Sequence, residues 1–220
     1  MTIAQTYPSA HYPTRREKLA DGWVHGVGLF VFAIAVIAAL GLAIWKGGLG
    51  MASAVAIYAV CVLTMIGASL AYNMMEDHGR KSLLRRFDHA AIFLMIAGSY
   101  TPFTTQRLEG AWAIGMTVAV WTLALIGVAG KLFLPDLSKK VWLALYVALG
   151  WIILAAVGPF IKTVPLVGMI LLLIGGIIYT LGVPFYTWHS LPFRRAIWHG
   201  FVLVAAGVQY AAILTGVVFA

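Results

Sequence analysis

Charged residues in this chain of 220 are bunched, and the bunching constrains it more than anything else. Between the bunches run seven stretches free of Asp, Glu, Lys and Arg: 22–45, 47–75, 89–106, 110–130, 141–161, 163–193 and 196–220. The shortest has 18 residues and the longest 31. A helix needs about 20 mostly apolar residues to cross the hydrocarbon core of a bilayer. Seven such stretches leave almost nothing for a separate soluble domain. Charged residues make up only 10% of the chain, against about 25% in a soluble domain. An ordinary cytosolic enzyme, a disordered chain and a disulfide scaffold are all excluded. Only helices and closed barrels satisfy the backbone in lipid, and these runs lack the period-two alternation of barrel strands. The expected fold class is therefore all-α, a bundle of seven transmembrane helices. The spans fall at 20–45, 51–75, 86–105, 111–133, 140–161, 164–187 and 195–218.

Orientation follows from the basic residues. With the N-terminus inside, the inner segments hold Arg15, Arg16, Lys18, Arg80, Lys81, Arg85, Arg86, Lys131, Lys139, Lys140, Arg194 and Arg195, and the outer loops hold Lys46, Arg107 and Lys162. Cytoplasmic loops collect Lys and Arg, so the N-terminus is expected in the cytoplasm and the C-terminus on the periplasmic or extracellular side of the plasma (inner) membrane. The same rule accounts for the net charge of +8 without nucleic acid as a partner; membrane lipid is the expected one. Residues 1–14, with Pro8 and Pro13, read as a disordered tail, and 15–220 as a single membrane domain. The apolar run after Arg15, Arg16 and Lys18 is too long for a signal peptide and reads as an uncleaved first span. Cys61, the single cysteine, is expected to be a packing residue. Trp23, Trp45, Trp112, Trp142, Trp188 and Trp198 lie near span ends, where interfacial anchoring accounts for them.

Ionisable groups within spans are costly and point to function. Asp21 and His25 open the first span, Ser69 and Asn73 close the second, Asp88 and His89 open the third, and Arg195 and His199 open the seventh. All lie toward the cytoplasmic side. Asp21 and His25, Ser69 and Asn73, and Arg195 and His199 are each four apart and so share a helix face. Three helices thus offer a two-residue polar face at one depth, which predicts one inward-opening polar cavity. Within it Asp88 needs a partner, which a histidine or an arginine, Arg195, could supply.

Four strings carry a family resemblance: Glu17 to Gly26 with its Asp21 and His25, Ser69 to Asn73, Leu84 to Phe103 around Asp88 and His89, and Ala196 to Val202 around His199. Together they resemble the bacterial hemolysin III proteins, relatives of the progestin and adipoQ (adiponectin) receptor family. The resemblance implies a seven-helix bundle with zinc in its cytoplasmic half. It implies one histidine ligand ending the second helix, two more four residues apart opening the seventh, and an aspartate on the third supporting a metal-bound water. Those positions hold Asn73, Arg195 and His199, with Asp88 as the aspartate. Two of three ligand histidines are therefore replaced, by a poor ligand and by a permanent cation. Asp21, His25, His89 and Asp88 are the groups from which a rearranged site would be built.

The expected function is a lipid-binding or membrane-homeostasis role at the inner-leaflet polar cavity, without the family's zinc ligand set. A zinc-dependent lipid amide hydrolase, with Asp88 as general base and His199 as a metal ligand, is the alternative. A pore-forming hemolysin is third, because the sequence shows no soluble-to-membrane switch segment and its composition is committed to one bilayer.

Overall fold

The computed structural model describes residues 11–134 and 137–220, except for the side chain of His78. The described residues are all-helical, with no strand among them. The elements are α1 (Arg15–Met74), α2 (His78–Gln106), α3 (Gly110–Phe133), α4 (Lys139–Gly150), a 3-10 turn (Ile152–Ala156), α5 (Val157–Thr163), α6 (Leu166–Thr187), α7 (Arg194–Ile213) and a π turn (Leu214–Val218). Five stretches are long and apolar enough to cross a membrane: Arg15–Met74, Gly110–Phe133, Lys139–Thr163, Leu166–Thr187 and Arg194–Val218.

Two expected spans merge in α1. At about 1.5 Å per residue its 60 residues exceed one bilayer more than twofold. The chain folds back at Gly48, where φ is 63° and ψ −158°, a conformation open to glycine because no Cβ obstructs it. The two halves then lie side by side: a Cβ on Gly22 would sit 3.2 Å from the Met74 sulfur. Thr14 caps the start, its hydroxyl accepting the Glu17 N–H at 3.2 Å. Lys18 pairs with Glu76 across the open end of the hairpin.

α2 begins well before residue 86, because Asp77 caps it by accepting from Gly79 N–H at 2.9 Å. Its first turns carry Arg80, Lys81, Arg85, Arg86 and Asp88, so the helix as a whole is less apolar than its second half. α2 packs between the second half of α1 and α3. A Cβ on Gly98 would come within 2.6 Å of the Cys61 Cβ, so α1 and α2 approach as close as small residues permit. α7 packs on α1 and α6, and closes the bundle. The large apolar side chains left exposed, such as Phe30, Ile34, Ile37, Ile126 and Leu166, form the surface a membrane protein turns to lipid.

The expected span 140–161 is broken. α4 stops at Gly150 and a 3-10 turn leads into α5. The Tyr100 hydroxyl from α2 enters the break, donating to Gly150 O at 2.6 Å and accepting from Ile153 N–H at 3.2 Å. A side chain inserted into the hydrogen-bond ladder kinks a helix, and Pro159, without an N–H, removes another ladder bond nearby. Trp142 also departs from expectation. It is buried rather than interfacial, with Lys131 Nζ 4.2 Å from its ring centre.

Candidate functional site

The i,i+4 spacing places Asp21 and His25 on the inner face of the first half of α1, and Ser69 and Asn73 on the inner face of its second half. Asp21, His25, Ser69 and Asn73 are all buried. α7 brings His199 against them. Asp21 connects the groups. Its backbone carbonyl faces His25 Nδ1 at 2.8 Å, its Oδ1 faces His199 Nδ1 at 2.6 Å, and its Oδ2 accepts from the Tyr12 hydroxyl. The His25 and His199 rings meet edge to face, with centres 4.2 Å apart. Ser69 Oγ lies 3.0 Å from His25 Nε2 and 3.5 Å from His199 Nε2. Ligand atoms of Asp21, His25 and His199 all fall within 4.8 Å of one another.

This cluster forms the polar floor of a cavity of about 1100 Å³. His25, Ser69, Asn73, Asp88, His89, Arg195 and His199 line it. Asp21 lies behind them, with no exposed surface. Asp88 sits beside the Ser69 hydroxyl, in electrostatic reach of His199 and Arg195. Above the floor the walls are apolar: Met95 and Ile96 of α2, Leu143 and Val147 of α4, and Leu172 and Tyr179 of α6. Leu154, Val157, Leu166, Ile170 and Leu173 also line it, yet their side chains are exposed. The cavity therefore opens sideways between α4–α5 and α6.

Residues 11–14, expected within a disordered tail, lie over the floor; residues 1–10 of that tail are outside the described residues. His11 Nε2 donates to Asn73 Oδ1 at 2.9 Å, and the Tyr12 hydroxyl lies 3.3 Å from the same oxygen. Asn73 Nδ2 donates to Ser69 O at 2.9 Å. Burial, with the Arg195 charge second, lowers the His11 pKa to about 4. Burial and the bond to Asp21 raise that of Tyr12.

Arg195 is the main correction among the site residues. It was expected to pair with Asp88. Instead its Nε donates to the His11 carbonyl at 3.1 Å, and its guanidinium lies 5.6 Å from the Tyr12 ring centre. Asp88 has no ion pair among the described residues. The positions that the resemblance assigns to zinc do not fit it. Asn73 spends both ends of its amide on His11, Tyr12 and Ser69, and Arg195 brings a cation. Of that histidine set only His199 remains.

Sequence reasoning missed His11 and Tyr12, and also Lys131, which lines the same cavity. A histidine–tyrosine pair two residues ahead of a capping threonine was the available signal for the first two. For Lys131 there was only its place at the inner end of a span, which also fits a plain topology charge.

The profile of a protein family described as "Haemolysin-III related" matches residues 14–210. The "Hemolysin-3 homolog" of Bacillus subtilis (strain 168) is 32% identical over 201 residues, covering 91% of this chain and 94% of that protein. "Hemolysin-3" of Bacillus cereus is 32% identical over 199 residues, 90% and 91% of the two chains. The human "Monocyte to macrophage differentiation factor" is 34% identical over 142 residues, 61% of this chain and 58% of that protein.

Proposed function

The chain belongs to the Haemolysin-III related family of multi-pass membrane proteins, and from that premise we propose that it binds a single inner-leaflet lipid in the cavity above Asp21, His25, Ser69, Asn73, Asp88 and His199. In this reading the α1 hairpin contributes two crossings and α2 one, giving seven spans with the N-terminus in the cytoplasm. The cavity floor then lies at the depth of the inner headgroups.

The observation that carries the reading is the shape and chemistry of the cavity. One end is polar, the walls are apolar, and the side opening between α4–α5 and α6 faces lipid. Ligand sites combine apolar lining with a few placed polar groups in this way, and cavities of several hundred to a thousand Å³ hold whole small molecules. Arg85, Lys139, Lys140 and Arg194 line the inner mouth and suit an anionic headgroup. The Tyr179 hydroxyl, buried in the wall, has no hydrogen-bond partner among the described residues. A buried hydroxyl without a partner is costly, and a bound lipid's carbonyl or hydroxyl would supply one.

Native mass spectrometry of protein released from mild detergent tests this. One co-purifying lipid per chain is expected, and Ile170→Trp, which fills the opening between α5 and α6, should lower its occupancy severalfold. Equal occupancy in Ile170→Trp and wild type would reject the cavity as the binding site. The lytic reading has a separate check: dye-loaded liposomes carrying the protein should stay sealed.

A further inference from the structure

Lys131 sits in the last turn of α3. A lysine so placed ordinarily extends its stem to carry the ammonium out to the headgroup region. Here it turns inward. The residue is only 8% exposed, and its Nζ lies on the cavity wall, 4.2 Å from the Trp142 ring centre and 5.8 Å from that of Tyr146. A ring face attracts a cation but supplies no oxygen to its three N–H donors. Among the described residues Lys131 has no ion pair and no hydrogen-bond acceptor. The Tyr146 hydroxyl is turned to His89 O at 2.8 Å, and the Trp142 indole N–H is itself buried without an acceptor. A buried ammonium without a counter-charge is costly.

The rest of this corner carries the same sign. Arg86 Nη1 donates to Leu132 O at 2.9 Å, which holds the start of α2 against the end of α3. Arg85, its neighbour in sequence, lines the cavity, as do Lys139 and Lys140 in the first turn of α4. Asp88 is the one carboxylate among the described lining residues; it is in electrostatic reach of Lys131 but forms no ion pair with it. Three helix ends thus gather N–H donors and supply too few acceptors to use them. We propose that Lys131 and Arg85 hold a phosphate group at this α2–α3–α4 corner, on different helices from Asp21, His25 and His199. The occupant has to accept hydrogen bonds and carry negative charge. A phosphate monoester offers three free oxygens and up to two charges, where a carboxylate offers two oxygens and one charge, and ammonium and guanidinium groups both bind it. Its source is the headgroup of the lipid in the cavity or a soluble phosphate entering by the mouth. The first source rests on the lipid reading above; the corner itself does not.

The test offers two kinds of probe to the full chain, stripped of lipid in a neutral detergent. One is inorganic phosphate alone, read by thermal melt against sodium chloride of equal ionic strength. The other is phosphatidylcholine nanodiscs doped with phosphatidic acid, diacylglycerol or oleic acid, with retained lipid counted by native mass spectrometry. Severalfold retention of phosphatidic acid over the other two identifies a lipid headgroup. Stabilisation by inorganic phosphate without that preference identifies a soluble phosphate. Either effect should fall severalfold in Lys131→Met and in Arg85→Gln, and persist in Lys162→Met, which lies outside this cavity. Arg85 is exposed, so its variant separates lost binding from a folding defect at the buried Lys131. Neither effect in wild type, oleic acid retained as well as phosphatidic acid, or wild-type behaviour in both Lys131→Met and Arg85→Gln would each overturn the proposal. Phosphatidic acid and diacylglycerol retained alike, with no phosphate-dependent melt, would reject the corner and keep the lipid cavity. Phosphate stabilisation with no lipid retained would reject the lipid and keep the corner.

Discussion

Asp21 holds three groups at once: His25 through its carbonyl, His199 through Oδ1 and Tyr12 through Oδ2. A hydrogen bond to a charged group contributes about 1.5–3 kcal/mol. Tyr12→Phe, which removes one such bond without changing ring packing, should therefore destabilise the fold by that order in a thermal melt. His11 adds a pH dependence. Arg195, Lys81, Asp21 and Asn73 surround it. Docked, its pKa is about 4; free, it returns to the ordinary histidine value of 6.5. The free segment thus binds more protons between those values, and docking weakens as pH falls through that window. Limited proteolysis after residue 14 should accelerate between pH 6.5 and 4, and His11→Gln should flatten the profile. At this scale the sequence was informative wherever helical periodicity applied. The pairs Asp21–His25 and Ser69–Asn73 were readable because four residues make one helical turn. His11 and Tyr12 lie outside any helix, so no periodicity marked them, and the direction of the Arg195 side chain depended on that unmarked segment.

The elements show where hydropathy succeeds and where it stops. The described residues are helical because the backbone has few alternatives in lipid, and five stretches among them are long and apolar enough to cross it. Within 141–161, however, composition alone gave a single helix, and the break depends on Tyr100, more than forty positions upstream. Gly150 and Pro159 were the local hints. Tyr100→Phe removes a donor to Gly150 O and an acceptor for Ile153 N–H. It should cost about 1–3 kcal/mol and raise hydrogen exchange selectively over 150–156. Close approach between helices gives a second prediction. Gly98→Val places atoms 2.6 Å from Cys61, and overpacking of this kind costs about 1–3 kcal/mol. Pairing it with Cys61→Ala should recover part of that loss in the same melt.

At the scale of the whole molecule, orientation rests on the 12 basic residues assigned to inner segments against 3 in outer loops. Cys61 is buried and is the only cysteine, so a Cys61→Ala background allows single reporters. A cysteine in place of Ser138 should react with impermeant maleimide only in inside-out vesicles, and one in place of Leu49 only in right-side-out cells.

The bond between Asp21 and His199 joins residues 178 positions apart, which bears on how the protein is made. A ribosome adding about 5–20 residues per second delivers the first helix roughly ten to thirty seconds before the last. For that interval a carboxylate waits at the membrane without its imidazole. Messages interrupted before the final helix would release a chain that advertises its own incompleteness to quality-control proteases.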